Sequence, residues 1–160
     1  MQKYRSTLDR FDMKLLQLVQ VSNRTPQHVL AEEVGLSAPA IARRLQKLRE
    51  QGVIQKDMAI IDAAAVGRPL TIIVQVTVED ESFALLDEIK ERFRRCEQIL
   101  HCHYVTGGTD FVLIVNVRDM EEYTQFTRTQ FFELGNVKSF QTYVSMECIK
   151  ANEGIPLDLE

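Results

Sequence analysis

Residues 31–54 read AEEVGLSAPAIARRLQKLREQGVI, and this stretch decides the fold. A short helix stops at Gly35, Ser37 stands where a cap belongs, and a second helix runs on to Gly52-Val53-Ile54. Two helices joined by a glycine-bearing turn are the pattern of a helix-turn-helix. In the second helix Ile41, Leu45 and Leu48 fall on one side, and Arg43, Arg44 and Lys47 on the other. A cationic ridge on a helix anchored by its apolar face is what reading a DNA groove requires.

Upstream, residues 8–22 (LDRFDMKLLQLVQVS) place apolar side chains at 8, 11, 15, 18 and 19, the helical period. Asp9 and Asp12 sit in the first turn of this helix, at the positive end of its dipole. Thr25-Pro26 predicts the next start, with Thr25 as cap and Pro26 as first helical residue. Downstream, residues 53–62 (VIQKDMAIID) read as two short extended pieces about Gln55-Lys56-Asp57, a wing beside the three helices. Gly67 and Pro69 mark the boundary that follows. The domains expected are 1–64, a winged helix-turn-helix, and 65–160, ending in a tail.

The rear half has another grammar. Residues 70–78 (LTIIVQVTV) alternate as a strand, and residues 82–95 are helical with Phe83, Leu85, Leu86, Ile89 and Phe93 as their stripe. Residues 99–106 read as a strand, Gly107-Gly108-Thr109-Asp110 as a turn, and 111–117 as a strand apolar on both faces. A helix opened by Asp119 and Glu122 follows over 119–134, then a last strand over 137–146. Strand, helix, strand, strand, helix, strand is the ferredoxin-like βαββαβ unit, so the chain is α+β. Helices cover one face of such a sheet. The other face keeps Ile73 and either Val112 or Phe111 with few charges, and leaving it wet costs ~25 cal/mol per Å² of apolar area. The reading is therefore a homodimer through this domain.

The charge distribution agrees. The 160 residues carry a net −4, but residues 1–68 hold 11 Lys and Arg against 7 Asp and Glu, and residues 69–160 hold 8 against 16. A front at +4 and a rear at −8 suggest that only the front meets nucleic acid. Three cysteines (Cys96, Cys102, Cys148) form no disulfide framework. No apolar run approaches the ~20 residues that cross a bilayer, and no secretory core opens the chain, so a cytoplasmic, nucleoid-associated protein without membrane contact is expected.

Two tempting chemistries are set aside. His101-x-His103 offers two imidazoles on one face of a strand, fewer than a zinc site needs. Neither Cys102 nor Cys148 has the flanking turn and ordering carboxylate of a nucleophile, so no enzyme is expected. Within the helix-turn-helix, Ser37, Ala38 and Ala40 are short enough to lie close to base edges, and Arg43 is long enough for a guanine edge or a phosphate. Lys47 and Lys56 suit phosphates, Arg24 and Thr25 a further backbone anchor, and Arg44 a phosphate, with an internal pairing to Glu50 or Asp12 as its alternative.

Together these residues resemble the Lrp/AsnC family of transcription regulators. The resemblance rests on Leu8-Asp9-x-x-Asp12, Leu30-Ala31, Val34-Gly35-Leu36-Ser37, Ile41-x-x-Arg44-Leu45-x-x-Leu48 and Gly52-Val53-Ile54. Ile61-Asp62, Gly67, Val105-Thr106-Gly107-x-x-Asp110 and Thr142 extend it. It implies a winged helix-turn-helix on a ferredoxin-like domain that dimerises, builds tetramers or octamers and binds a small effector, usually an amino acid. It places the effector at Gly107, Gly108, Thr109 and Asp110, with Thr142 nearby; many relatives have an aromatic where Thr109 stands. The partners implied are double-stranded DNA with a roughly palindromic operator and that amino acid, with no cofactor and no metal. An architectural, nucleoid-associated protein without effector is the alternative.

Overall fold

The structure, a computed structural model, describes residues 8–133, 135–151 and 154–158. It divides into two units: the described residues up to Ile60 together with those from Lys150 onward, and Ile61–Ile149.

The first unit is helical: α1 (Arg10–Val21), α2 (Gln27–Val34) and α3 (Ala38–Glu50). Leu15, Leu30, Ile41 and Leu48 are at most 2 % exposed and form its core. These are the residues whose helical spacing turns them to one side. Asp9 caps α1 in a capping box with Asp12. Gly35 ends α2 at φ +80, a conformation that side-chain-bearing residues rarely adopt, and its N–H returns to the Ala31 carbonyl. The cap of α2 lies one residue later than the sequence suggests. Pro26 is the cap, and the Thr25 hydroxyl donates to the Ser22 carbonyl instead.

Two expectations for this part of the chain need correction. Among the described residues no strand occurs before Leu70, so residues 53–62 form no paired wing. Val53 and Ile54 turn into the helical core, while Met58, Ile60 and Ile61 are two-thirds or more exposed. A two-stranded ribbon with no sheet beside it is marginal in water, and Arg49 holds Asp57 through two hydrogen bonds (2.7 and 3.3 Å) in a non-strand path. Residues 154–158 differ from the tail expected on the rear domain, because they contact the helical unit. Leu157 packs on the helical core, and Gln20 exchanges two hydrogen bonds with the backbone of Ile155.

The second unit holds β1 (Leu70–Val78), α4 (Phe83–Arg95), β2 (Ile99–Tyr104), β3 (Phe111–Val117), α5 (Met120–Thr127) and β4 (Val137–Val144). The antiparallel sheet has the order β2-β3-β1-β4, as the ferredoxin-like reading requires. Alternation sends Ile72, Val74, Val76, Phe111, Leu113 and Val115 under the helices, each fully buried. The opposite face carries the cross-strand row His101, Ile114, Ile73 and Tyr143, and beside it His103 and Val112. Of the two residues left open by the sequence, Val112 therefore joins Ile73 and Phe111 is core.

Phe83 departs from its assigned stripe and is 89 % exposed, because it starts α4 beyond the reach of the sheet. α5 runs into a π-turn, Arg128–Phe132, where one extra residue slips the period. That slip sends Phe131 into an edge-on cluster with Phe93 and Phe126 and leaves Phe132 outside against Phe140. The expected helix end at Leu134 lies outside the described residues.

A polar knot closes the sheet where the chain enters it. Buried Asn116 donates to the Arg68 and Leu70 carbonyls, and Arg68 reaches its side chain, its carbonyl and Glu122. Glu122 also accepts the Arg118 N–H and guanidinium, and these bonds pull its carboxyl down to about 2 from 4.5. A depressed carboxyl stabilises the fold above its unfolded value and loses that contribution as pH falls toward its folded one. Thermal unfolding of this unit should therefore weaken between pH 4.5 and about 2. Glu122→Gln should melt lower at neutral pH and lose less across that window; an equally steep loss in the variant would contradict the assignment.

Candidate nucleic-acid interface and effector turn

α3 is presented by what lies beneath it. Ile41, Leu45 and Leu48 bury its inner face, and Arg43 and Lys47, one turn apart, stand on its exposed face. Ser37 is exposed at the cap position, although its hydroxyl makes no capping bond, and Ala38 and Ala40 are half-buried in the first turn. Small residues there let the backbone come close to a surface. Lys56 is exposed next to Asp57, which Arg49 ties to the end of α3. Arg24 is exposed and Thr25 half-buried just before α2.

Arg44 has a different place from its neighbours. Its Nη1 lies 2.8 Å from Asp9 Oδ2 and 2.7 Å from Asp12 Oδ1, and its guanidinium sits 5.6 Å from the Phe11 ring. The remaining oxygens are also used: Asp9 Oδ1 accepts the Asp12 N–H and Asp12 Oδ2 accepts the Asp9 N–H. All four carboxylate oxygens thus have a donor. The Asp12 hydrogen bond, against the opposing cost of burial, holds the Arg44 guanidinium charged beyond its ordinary range. Burial raises the Asp9 carboxyl, but the Asp12 N–H and Arg44 outweigh it and leave it below the usual value. The geometry gives Arg44 the internal alternative in place of the expected phosphate contact, with Asp12 and Asp9 as partners and Glu50 bonded to Gln46 instead.

The Gly107–Asp110 turn is fastened to β1. The Thr109 hydroxyl and the Asp110 N–H both donate to the Val76 carbonyl (2.8 and 3.0 Å), and Asp110 Oδ2 accepts the Val78 N–H at 2.8 Å. Gly107 takes φ +129, and both glycines are exposed at the tip. Thr142 lies on β4, with β1 between it and the turn, paired with Val74. Its hydroxyl shares a 2.6 Å hydrogen bond with the Tyr123 hydroxyl. The sequence groups Tyr123 with Phe126, Phe131 and Phe132 as an aromatic cluster of core and interface, and nothing in that grouping points its hydroxyl to Thr142. His101 and His103 stack at 6.4 Å on the open face, and among the described residues no group of three or more His, Cys, Asp or Glu is placed to hold a metal ion.

A helix-turn-helix with a free cationic ridge, carried on a chain with a separate α/β unit, defines a DNA-binding transcriptional regulator that brings its own ligand domain. The chain belongs to the Lrp/AsnC family: residues 8–49 match the AsnC-type helix-turn-helix domain, and residues 71–155 match the Lrp/AsnC ligand binding domain. It is 44 % identical over 159 residues to an uncharacterized HTH-type transcriptional regulator of Sinorhizobium fredii, covering 99 % of this chain and 94 % of that one. It is 32 % identical over 148 residues to the leucine-responsive regulatory protein of Haemophilus influenzae, covering 92 % and 89 %. Among solved structures, a transcriptional regulator of Neisseria meningitidis in complex with L-methionine superposes with a TM-score of 0.86 at 26 % identity, covering 94 % of this chain and 97 % of that one. An AsnC family regulator from Agrobacterium tumefaciens gives 0.87 at 28 %, covering 93 % and 97 %.

The placement of Arg44 has a measurable consequence. Arg44→Ala should destabilise the helical unit by roughly 1–3 kcal/mol, the cost of stranding a buried acceptor, and Asp12→Asn should do likewise. Because neither change removes a phosphate contact, the slope of log affinity for duplex DNA against log salt should stay at its wild-type value. A slope reduced by about one unit in Arg44→Ala would place the guanidinium on DNA.

Proposed function

We propose that this regulator works in the cytoplasm, on the nucleoid, as a homo-oligomer that reads duplex DNA with α3 and answers to an amino acid. The observation that carries the reading is the pair Arg43 and Lys47, exposed on a helix whose opposite face is fully buried. Ser37, Ala38 and Ala40 bring the start of α3 to the base edges, where Arg43 reads or anchors. Lys47, Lys56, Arg24 and Thr25 contact phosphates, which set register without reading sequence. Arg44 holds the helix from behind.

The dimer is proposed to form through the open face of the sheet. Ile73, Val112, Ile114 and Tyr143 make a weakly polar surface there. Two copies related by a two-fold axis would carry two α3 helices to a roughly palindromic operator. Dimers then build a tetramer or octamer. The effector reading rests on the match to the ligand binding domain and on the methionine complex of the Neisseria relative. In this chain the exposed tip at Gly107 and Gly108 offers backbone N–H groups suited to a carboxylate. Asp110, held by one oxygen on the Val78 N–H, offers negative charge to an ammonium group, and Thr109 adjoins it; Thr142, beyond β1 and hydrogen-bonded to Tyr123, is proposed as an outer contact of the same ligand. Binding that favours one assembly state shifts the oligomer equilibrium and with it the DNA affinity.

Two measurements test this reading. Lys47→Ala should weaken binding to every duplex about evenly, with the salt slope falling by about one unit, and Arg43→Ala should either do the same, if it anchors, or relax the preference for the selected duplex, if it reads a base edge. Unchanged affinity in the double variant would reject α3 as the DNA-reading element. Sedimentation with the amino acids titrated one by one should show a change of assembly accompanied by a change of operator affinity, and Ile73→Asp should split the dimer. If no amino acid alters either quantity while DNA is still bound, the protein is the architectural alternative.

A further inference from the structure

The helical unit is discontinuous in sequence. The chain leaves it at Ile60, builds the whole ligand-binding unit, and returns at Lys150. The returning segment does not merely end there. The Gln20 side chain presents its amide to Ile155 as a strand would, accepting the Ile155 N–H at 2.8 Å and donating to the Ile155 carbonyl at 3.2 Å. Two residues on, Leu157 packs on the helical core, and with Pro156 it lines a groove shared with Leu8, Phe11 and Val34. Phe11, which belongs to this groove, also lies against Arg44 of the α3 clamp. The strand that precedes the return is β4, which carries Thr142 and whose pairing continues through the Ser145 N–H to the Thr71 carbonyl at 2.9 Å.

We propose that residues 154–158 are a strap docked on the DNA-binding head at the Gln20 amide and on the apolar surface beneath Leu157. It gives each head a second covalent connection to its own ligand domain, and it is a route by which ligand state reaches α3. The proposal rests on the DNA-binding and effector reading above. The segment is held at two places, where the Gln20 amide pairs with the Ile155 backbone and where Leu157 packs on the helical core, so the site fits an extended segment with one backbone-paired residue and one leucine. The family match ends at residue 155, so Pro156, Leu157 and Asp158 lie outside it. The contacts are few and lie near the surface, in contrast with the fully buried Leu15 and Ile41 beneath them. Such a contact docks and releases while the head stays folded, which is what a coupling device needs.

The experiment compares the full chain with a chain ending at Ala151 and with the double variant Gln20→Ala/Leu157→Ser. Hydrogen exchange is followed with and without a duplex selected by the wild-type protein from random sequence, and with L-methionine and L-leucine as probes. Loss of the strap should speed exchange of the α1 amides at least tenfold and leave β1 and β3 unchanged. In the wild type, DNA should slow exchange in residues 145–151, and both variants should lose that response while still binding DNA. By reciprocity, an amino acid that shifts wild-type DNA affinity should shift it less than half as much in the variants, with its own binding retained. Unchanged α1 exchange, or a DNA response at residues 145–151 that survives strap loss, overturns the proposal. A wild type that binds DNA but ignores both amino acids counts against those effectors alone, and the DNA-induced protection still decides the strap.

Discussion

The closed ring of Asp9, Asp12 and Arg44 is the constraint on which the DNA-facing surface depends. Burial of Ile41, Leu45 and Leu48 brings α3 against the other helices, but apolar contact is non-directional and tolerates rotation and sliding. The ring removes that freedom. One guanidinium nitrogen meets two carboxylates, and each of those carboxylates is fixed by a backbone N–H of the α1 cap. The capping box that starts α1 thus also sets how α3 is turned. With Arg44 held inside, its sequence neighbour Arg43 and the residue three further on, Lys47, are the cations left facing out.

Charge separation along the chain supports the same division of labour. The head is net positive and the remainder net negative, so a duplex is attracted to one unit and repelled by the other. Such steering weakens with salt, over a screening length of about 8 Å at physiological ionic strength. The acidic side chains of the ligand unit are also put to structural use: Glu122 accepts the Arg118 N–H and Asp110 the Val78 N–H.

Much of this was legible in the sequence, for identifiable reasons. The helices of the head announce themselves because Leu15, Ile41, Leu45 and Leu48 follow a 3.6 period and Gly35 breaks it. The sheet does so because Ile72, Val74, Val76 and Val78 recur at every second position, with Thr71, Gln75 and Thr77 among the residues between them. Failures came where identity depends on a distant partner. Residues 53–62 look extended, but a strand exists only against another strand, and among the described residues none lies beside them. Phe83 keeps the period of α4 yet starts it beyond the sheet, and the π-turn at Arg128–Phe132 slips the period, turning Phe131 inward and leaving Phe132 exposed. Asp110 was legible as a turn residue, but its bond to the Val78 N–H depends on which strand lies beside the turn. Nothing local in Ile155 or Leu157 points to Gln20, because their contact spans 135 positions.

The account stands on α3 being the surface that meets DNA. Backbone amide chemical shifts recorded while the labelled full-length protein is titrated with its selected duplex test this most directly. The account predicts that the large changes run from Ser37 to Lys47, with smaller ones at Arg24, Thr25 and Lys56 and none across β1 and β3. Changes centred on the ligand-binding unit, with α3 silent, would contradict it.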